Sequence, residues 1–306
     1  SYCQFWFSIS SEAKLADKCS QHFSGKVQMY YGGHSVNIVS DGTIMVDGGS
    51  AFGQIPRTEW ETQIKPDRRN RIRFGMNSMI IQTPDMNILV DTGAGNKRTD
   101  QLKETHHLNG NKLTRSLKDV GVNARDIDIV ILTHLHFDHS GGCTKLSRSG
   151  EAVPIYPKAK YIVQEKCWHE AVSPNERYRS TFFSDDFLPL EEKGLLELID
   201  GDIEISPGIE LRVADGPSRG HQMVLIDMGS EKLVFAGDLI PTQFHLQPHF
   251  IAATDEFPNE TLVQKKEVID MAMNEGWIVI FGHGQEFRSG YVEEWNGKPH
   301  LLPKEI

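Results

Sequence analysis

The chain has 306 residues, 39% hydrophobic and 24% charged, enough for one large domain or two small ones. Its net charge of −10 and pI near 5.7 set the molecule as a whole against polyanions, and so against general nucleic-acid binding. No apolar run approaches the ~18 residues of a membrane span, and the N-terminus has neither a basic segment nor a long apolar one, which leaves secretion unsupported.

Four cysteines, Cys3, Cys19, Cys143 and Cys167, show no C-x-x-C spacing and read as free thiols in a reducing, cytoplasmic setting. Residues 1–28 are set apart as an appendage or an oligomer contact, the latter implying a homodimer. Ser11 to Cys19 is expected to form a short helix capped by Ser10 or Ser11. A second segment, 29–306, carries the rest. Val36 to Ser40 and Thr43 to Val46 read as two strands around Asp41-Gly42, a hairpin turn signal. Arg69, Arg71 and Arg73 share one face of a strand, either an anion or partner site or a solvated, ion-paired face. Asn77 to Gln82 and Asn87 to Val90 read as strands, and Asp91-Thr92-Gly93-Ala94-Gly95 as a tight turn. Asn111 to Val120 has helical spacing and stops at Gly121.

The apolar run Asp126 to Leu132 reads as a buried strand leading straight into Thr133-His134-Leu135-His136-Phe137-Asp138-His139-Ser140-Gly141-Gly142. Four potential metal ligands fall within six residues. His134 and His136, two apart, face the same way in extended backbone, whereas the neighbours Asp138 and His139 point apart unless a turn brings them round. One tetrahedral ion would struggle to use all four; two ions a few ångströms apart can, one pair serving each. Imidazole and carboxylate suit Zn, Mn or Fe. With 13 His and 20 Asp in the chain, H-x-H-x-D-H arises by chance about once or twice in a thousand such sequences, so a solvated His-rich loop is the weaker reading.

Lys160 to Val163 reads as a strand and Gln164 to Val172 as a helix. Residues 176–190, with Tyr178, Phe182, Phe183 and Phe187, fit no period and are expected to cover substrate or to pack. Strands are expected at Leu195 to Ile199, Ile209 to Val213, Met223 to Met228, Lys232 to Ala236 and Trp277 to Phe281, with a helix over Asn259 to Asn274.

The motif His134 to His139, with the earlier pattern Ile88-Leu89-Val90-Asp91-Thr92-Gly93, resembles the metallo-β-lactamase superfamily of metal-dependent hydrolases. The likeness runs over roughly residues 35 to 285. It is nearest to the branch holding lactonases, including quorum-quenching acyl-homoserine lactonases, and organophosphate hydrolases. The resemblance implies an α/β fold, a four-layer αβ/βα sandwich with the site on one sheet edge. It also implies Zn²⁺, one ion or two, with Mn or Fe as alternatives. Asp238, after the apolar run Leu233 to Ala236, fits a carboxylate bridging two cations. His283, between two glycines, fits a further ligand, because glycine lets the backbone approach an ion closely. One position departs: aligned on Gly220-His221-Gln222, the ligand position holds Pro217, which cannot coordinate a metal. His221 then matches a supporting position or acts as a substitute ligand. The expected metal set is His134, His136, Asp138, His139, Asp238 and His283.

The activity implied is hydrolysis of a lactone, ester or related bond in a small-molecule substrate, with no nucleic-acid or membrane partner. Asp138 is expected to pass the proton. The family's lactonases use a tyrosine shortly after the bridging aspartate; here Leu239 to His245 contains none, and His245 or Thr242 is expected to donate instead. The alternatives are a mononuclear iron oxygenase of the same fold and a non-catalytic binding protein with a degraded first metal site.

Overall fold

The computed structural model describes residues 34–306 and, as backbone, a strand at Met29–Tyr31. The expected Ser11 to Cys19 helix, and the appendage it belongs to, lie outside the described residues.

Two seven-stranded sheets form the body. In chain order the strands are Met29–Tyr31 (β1), His34–Asp47 (β2), Arg71–Gln82 (β3), Asn87–Val90 (β4) and Ile129–Ile131 (β5). The small hairpin Thr144–Leu146 (β6) and Ala152–Pro154 (β7) follows, then Lys160–Gln164 (β8) and Leu196–Ile199 (β9). The second half brings Ile203–Ser206 (β10), Ile209–Val213 (β11), Gln222–Asp227 (β12), Lys232–Phe235 (β13), Ile278–Ile280 (β14), Ser289–Trp295 (β15) and Lys298–Pro303 (β16). The first sheet runs β1-β2-β3-β4-β5-β8-β9 and the second runs β10 to β16 in order. In the first sheet β4, β5, β8 and β9 are parallel neighbours; in the second only β13 and β14 are.

The alternation of side chains along each strand explains the layering. Ile38, Met79, Ile81, Ile88 and Val90 turn to one face and meet Leu211, Val224, Leu233, Phe235 and Ile280 of the second sheet, making the central core. Their neighbours Val39, Ile80, Leu89 and Val130 face the other way, against Leu113, Leu117, Trp168 and Phe187 of the first set of helices. On the far side Leu225, Val234 and Val279 pack on Val268, Ile269 and Ala272 of the helix Pro258–Glu275. Helices, sheet, sheet, helices: the expected four-layer αβ/βα sandwich is the fold observed.

Two local expectations give way. Asp41-Gly42 is not a hairpin turn but a bulge inside a continuous 14-residue strand, paired with β3 on both sides of it. Gly42 has φ +125°, and a Cβ there would lie 1.9 Å from the Asn109 carbonyl oxygen. The bulge turns Asp41 inward to accept from the amides of Lys112, Leu113 and Gly95 at 2.8–3.1 Å. The segment 176–190, irregular by pattern, ends in a helix, Ser184–Glu192, that carries Pro189 inside it. In the arginine stretch, Arg71 is bound to Asp67 at 2.7 Å.

Candidate metal centre

The motif leaves the end of β5 as the chain crosses from the buried strand to the sheet edge. Thr133 is fixed first: its amide and hydroxyl both donate to Asp91, at 2.8 Å each. Asp91 itself has φ +56°, the left-handed region. Phe137–Ser140 then forms a helical turn, which answers the problem of the neighbouring ligands by rotating Asp138 and His139 to a common side. Gly141 and Gly142 are needed because the loop lies on the Asp91–Gly95 turn: a Cβ on Gly142 would sit 2.1 Å from the Thr92 carbonyl oxygen. The almost fully buried Lys97 side chain ties this loop down by donating to the Gly141 and Thr144 carbonyls and pairing with Asp186 at 2.8 Å.

Asp238 and His283 arrive from the second sheet, after β13 and β14. His283 is held by backbone and ring: its backbone N–H donates to the Pro241 carbonyl and its Nδ1 to the Gly75 carbonyl at 2.7 Å, while the ring stacks on Phe74. A carbonyl only accepts, so Nδ1 carries the proton and Nε2 of the neutral ring is a bare lone pair. His139 is arranged the same way, with Nδ1 on Asp91 Oδ2 at 2.8 Å. The two Nε2 atoms are 3.1 Å apart, and Asp238 Oδ1 lies 3.2 Å and 3.0 Å from them. With both rings neutral, three acceptors converge. Asp138 adds its oxygens at 4.0 Å from His139 Nε2 and 3.8 Å from His283 Nε2. A cation among them converts this repulsion into coordination, so the donor set fits a divalent metal.

Beside it, His134 Nε2 lies 2.9 Å from His136 Nδ1 and 3.5 Å from the other oxygen, Oδ2, of Asp238. Burial acts on His139, yet the carboxylates of Asp238, Asp91 and Asp138 raise its pKa well above the ordinary value. Burial, with His139 and His136 alongside, drives His134 well below it. Asp238 is pushed up by burial but held well below the usual carboxylate range by His139, His283 and His134.

The remaining expected residues take other places. His221 is fully buried, and its Nε2 accepts the Asp238 backbone N–H at 3.0 Å, so it positions the carboxylate from behind. Gly237, at φ +55°, is required there, since a Cβ would stand 2.5 Å from that nitrogen. Pro217 is buried, and its loop is anchored by Glu256 and Phe257 amides on the Pro217 and Gly216 carbonyls. His245 is not brought to the reacting side. It is buried and stacked on Phe52, with Nδ1 taking the Thr242 hydroxyl at 2.7 Å and Nε2 donating to the Ala51 carbonyl at 2.9 Å. Burial depresses its pKa to about 3. Thr242 is spent on the same contact.

A cavity of about 180 Å³ opens over the ligands, lined by His136, Asp138, Asp238 and His283 on one side and by Ile44, Val46, Phe74 and Phe137 on others. Thr181 from the aromatic segment lines it too, and Phe182 backs His136 with ring centroids 5.0 Å apart, so that segment both covers the site and packs. Sequence reasoning missed three contributors: the Gly75 carbonyl, His106 and Asp255. None sits in a motif; the first is a backbone atom and the others lie in loops or at a helix end.

The sequence profile of the metallo-beta-lactamase superfamily matches residues 71–283, and the chain belongs to that superfamily. The curated relatives it matches include N-acyl homoserine lactonases, a ribonuclease and a transcription termination factor. An N-acyl homoserine lactonase from Bacillus cereus is 29% identical over 226 residues, 69% of this chain and 82% of the relative. Another from Bacillus sp. is 30% identical, and the match spans 58% of this chain and 64% of that enzyme. A solved structure of a probable metal-dependent hydrolase from Staphylococcus aureus superposes with a TM-score of 0.82 at 28% identity, covering 91% of this chain and 99% of the other. The dizinc quorum-quenching lactonase AidC shares the fold at 20% identity and a TM-score of 0.76, covering 91% and 97%. Among the described residues no helix is long and apolar enough to cross a membrane.

Proposed function

We propose that the protein hydrolyses a lactone, ester or related bond of a small molecule, using zinc held by Asp138, His139, Asp238 and His283. His134, His136 and the second Asp238 oxygen offer an incomplete second place. The observation that carries this reading is the convergence of His139 Nε2, His283 Nε2 and Asp238 Oδ1 within 3.2 Å of one another, each an acceptor when the rings are neutral. Lactonase names among the relatives support the bond type. A divalent ion bound there supplies Lewis acidity and brings the pKa of a water towards ~7. The chain's own work is orientation. Asp91 and the Gly75 carbonyl fix which nitrogen of each histidine points inward, and Asp138, on the cavity wall, takes the proton of the attacking water. The apolar walls exclude bulk water around the acyl group. The buried free cysteines Cys143 and Cys167 fit a cytoplasmic protein.

The test is a screen of lactones, aryl esters and phosphotriesters before and after chelation. Activity that disappears with chelator and returns with Zn²⁺ or Mn²⁺ is expected; activity surviving complete demetallation refutes the proposal. Pro217 favours a second reading, one iron and oxygen chemistry, which oxygen uptake by iron-loaded protein tests directly.

A further inference from the structure

The cavity has a wall that the metal ligands do not account for. Asp255 lines it together with Asp138, Asp238 and His283, yet only 6% of its surface is exposed. Its Oδ2 accepts from the Thr261 hydroxyl at 2.6 Å, which leaves Oδ1 for whatever the cavity holds. The following helix gives this carboxyl no employment: its cap position is Phe257. Nor does a direct ion pair. Lys265, whose charge acts on it, is 1% exposed and donates to the Phe250 carbonyl at 2.5 Å instead. Burial lifts Asp255 to about 7, against the opposing pull of Thr261 and of the Lys265 charge. A buried acid that makes no direct ion pair costs stability, and one that lines a site cleft is a candidate functional group.

We propose that Asp255 is a specificity-determining residue whose free carboxyl oxygen accepts a hydrogen bond from a neutral O–H or N–H on the substrate. The site would then select small esters or lactones that carry such a donor on an apolar framework. The inference rests on the hydrolase reading above. Charge decides the donor's class. The charge of the buried Lys265, which acts on Asp255, disfavours a second cation, while the Asp255 carboxylate itself disfavours an anion. Ile44, Val46 and Phe74 supply the apolar surface for the remainder.

The experiment uses zinc-loaded protein and the phenyl esters of hydroxyacetic, 3-hydroxypropanoic and 6-hydroxyhexanoic acids, each against the parent ester lacking the hydroxyl. At one chain length or more, kcat/KM should favour the hydroxylated ester by ~10-fold, the scale of one hydrogen bond to a charged group. Asp255→Leu should bring that ratio to within about twofold of unity, whatever it does to the absolute rates. Asp255→Asn, nearly isosteric, should act in the same direction, because Thr261 claims the one remaining acceptor oxygen. A wild-type protein indifferent to the hydroxyl, or a preference that survives both substitutions, overturns the proposal. Calorimetric binding of the matching anilides separates the two readings. If no ester is cleaved but the hydroxylated anilides bind preferentially through Asp255, the hydrolase reading fails and the subsite stands; anilides bound without preference overturn the subsite.

Discussion

The two halves of the metal centre are built to different standards. Around His139 and His283 every outer nitrogen is tied to an acceptor of the chain, Asp91 or the Gly75 carbonyl, and both Nε2 atoms meet the same Asp238 oxygen. Around His134 and His136 the support is thinner. His134 Nδ1 has the Thr133 hydroxyl at 3.1 Å, and where the resemblance leads one to expect a further ligand stands Pro217, buried in a loop pinned by Glu256 and Phe257. In the proposed centre one half offers four protein ligands; the other offers two histidines and a carboxylate shared with its neighbour. Three donors, one of them shared, hold an ion less tightly than four, so the expected difference is one of affinity as well as geometry.

The sharpest way to break this comparison is to damage the complete half. His283→Ala should leave no metal bound after dialysis, whereas His221→Ala, which removes only the partner of the Asp238 amide, should retain it with affinity reduced ~10–100-fold. Elemental analysis of both variants decides; equal loss would make His221 a ligand in its own right. Repairing the poor half is the next largest effect. The unmodified protein is expected to retain one tight ion per chain and Pro217→His to move the count towards two. Two tight ions in the unmodified protein would contradict the asymmetry. The smallest effect probes the support behind a ligand. Asp91→Asn weakens the acceptor of the His139 N–H and should lower zinc affinity by ~10-fold, the low end for such contacts, as read by competition with a chromophoric chelator.

The parts of this centre legible in the sequence are those whose chemistry is local. His134 to His139 announces itself because four ligands crowd into one turn at the end of an apolar strand, and Asp238 and His283 because each closes such a strand. Most inner strands of the sandwich followed from apolar runs for the same reason, whereas β1, β10, β15 and β16, at or near the sheet edges, were not read. What was not legible depends on pieces distant in sequence. Asp41-Gly42 has the composition of a hairpin turn, and only the Asn109 backbone packed against it makes it a bulge. His245 stands where a proton donor was wanted, but Phe52 and the Ala51 carbonyl, 194 residues away in sequence, enclose it. Asp255 belongs to no motif; its position on the cavity comes from the path of the loop between His245 and the helix Pro258–Glu275.

The ligands of the complete half come from both sheets: His139 and Asp138 from the loop after β5, Asp238 and His283 from the loops after β13 and β14. On the proposed zinc reading, an ion held there would also be a cross-link. It would join positions 139 and 238, and 139 and 283, closing loops far longer than any turn among the described residues. Binding and folding would then be linked: whatever free energy the ion gave to the site, it would give to the seam between the sheets. Metal supply during synthesis would act on how the two halves of the molecule hold together, before any substrate is encountered.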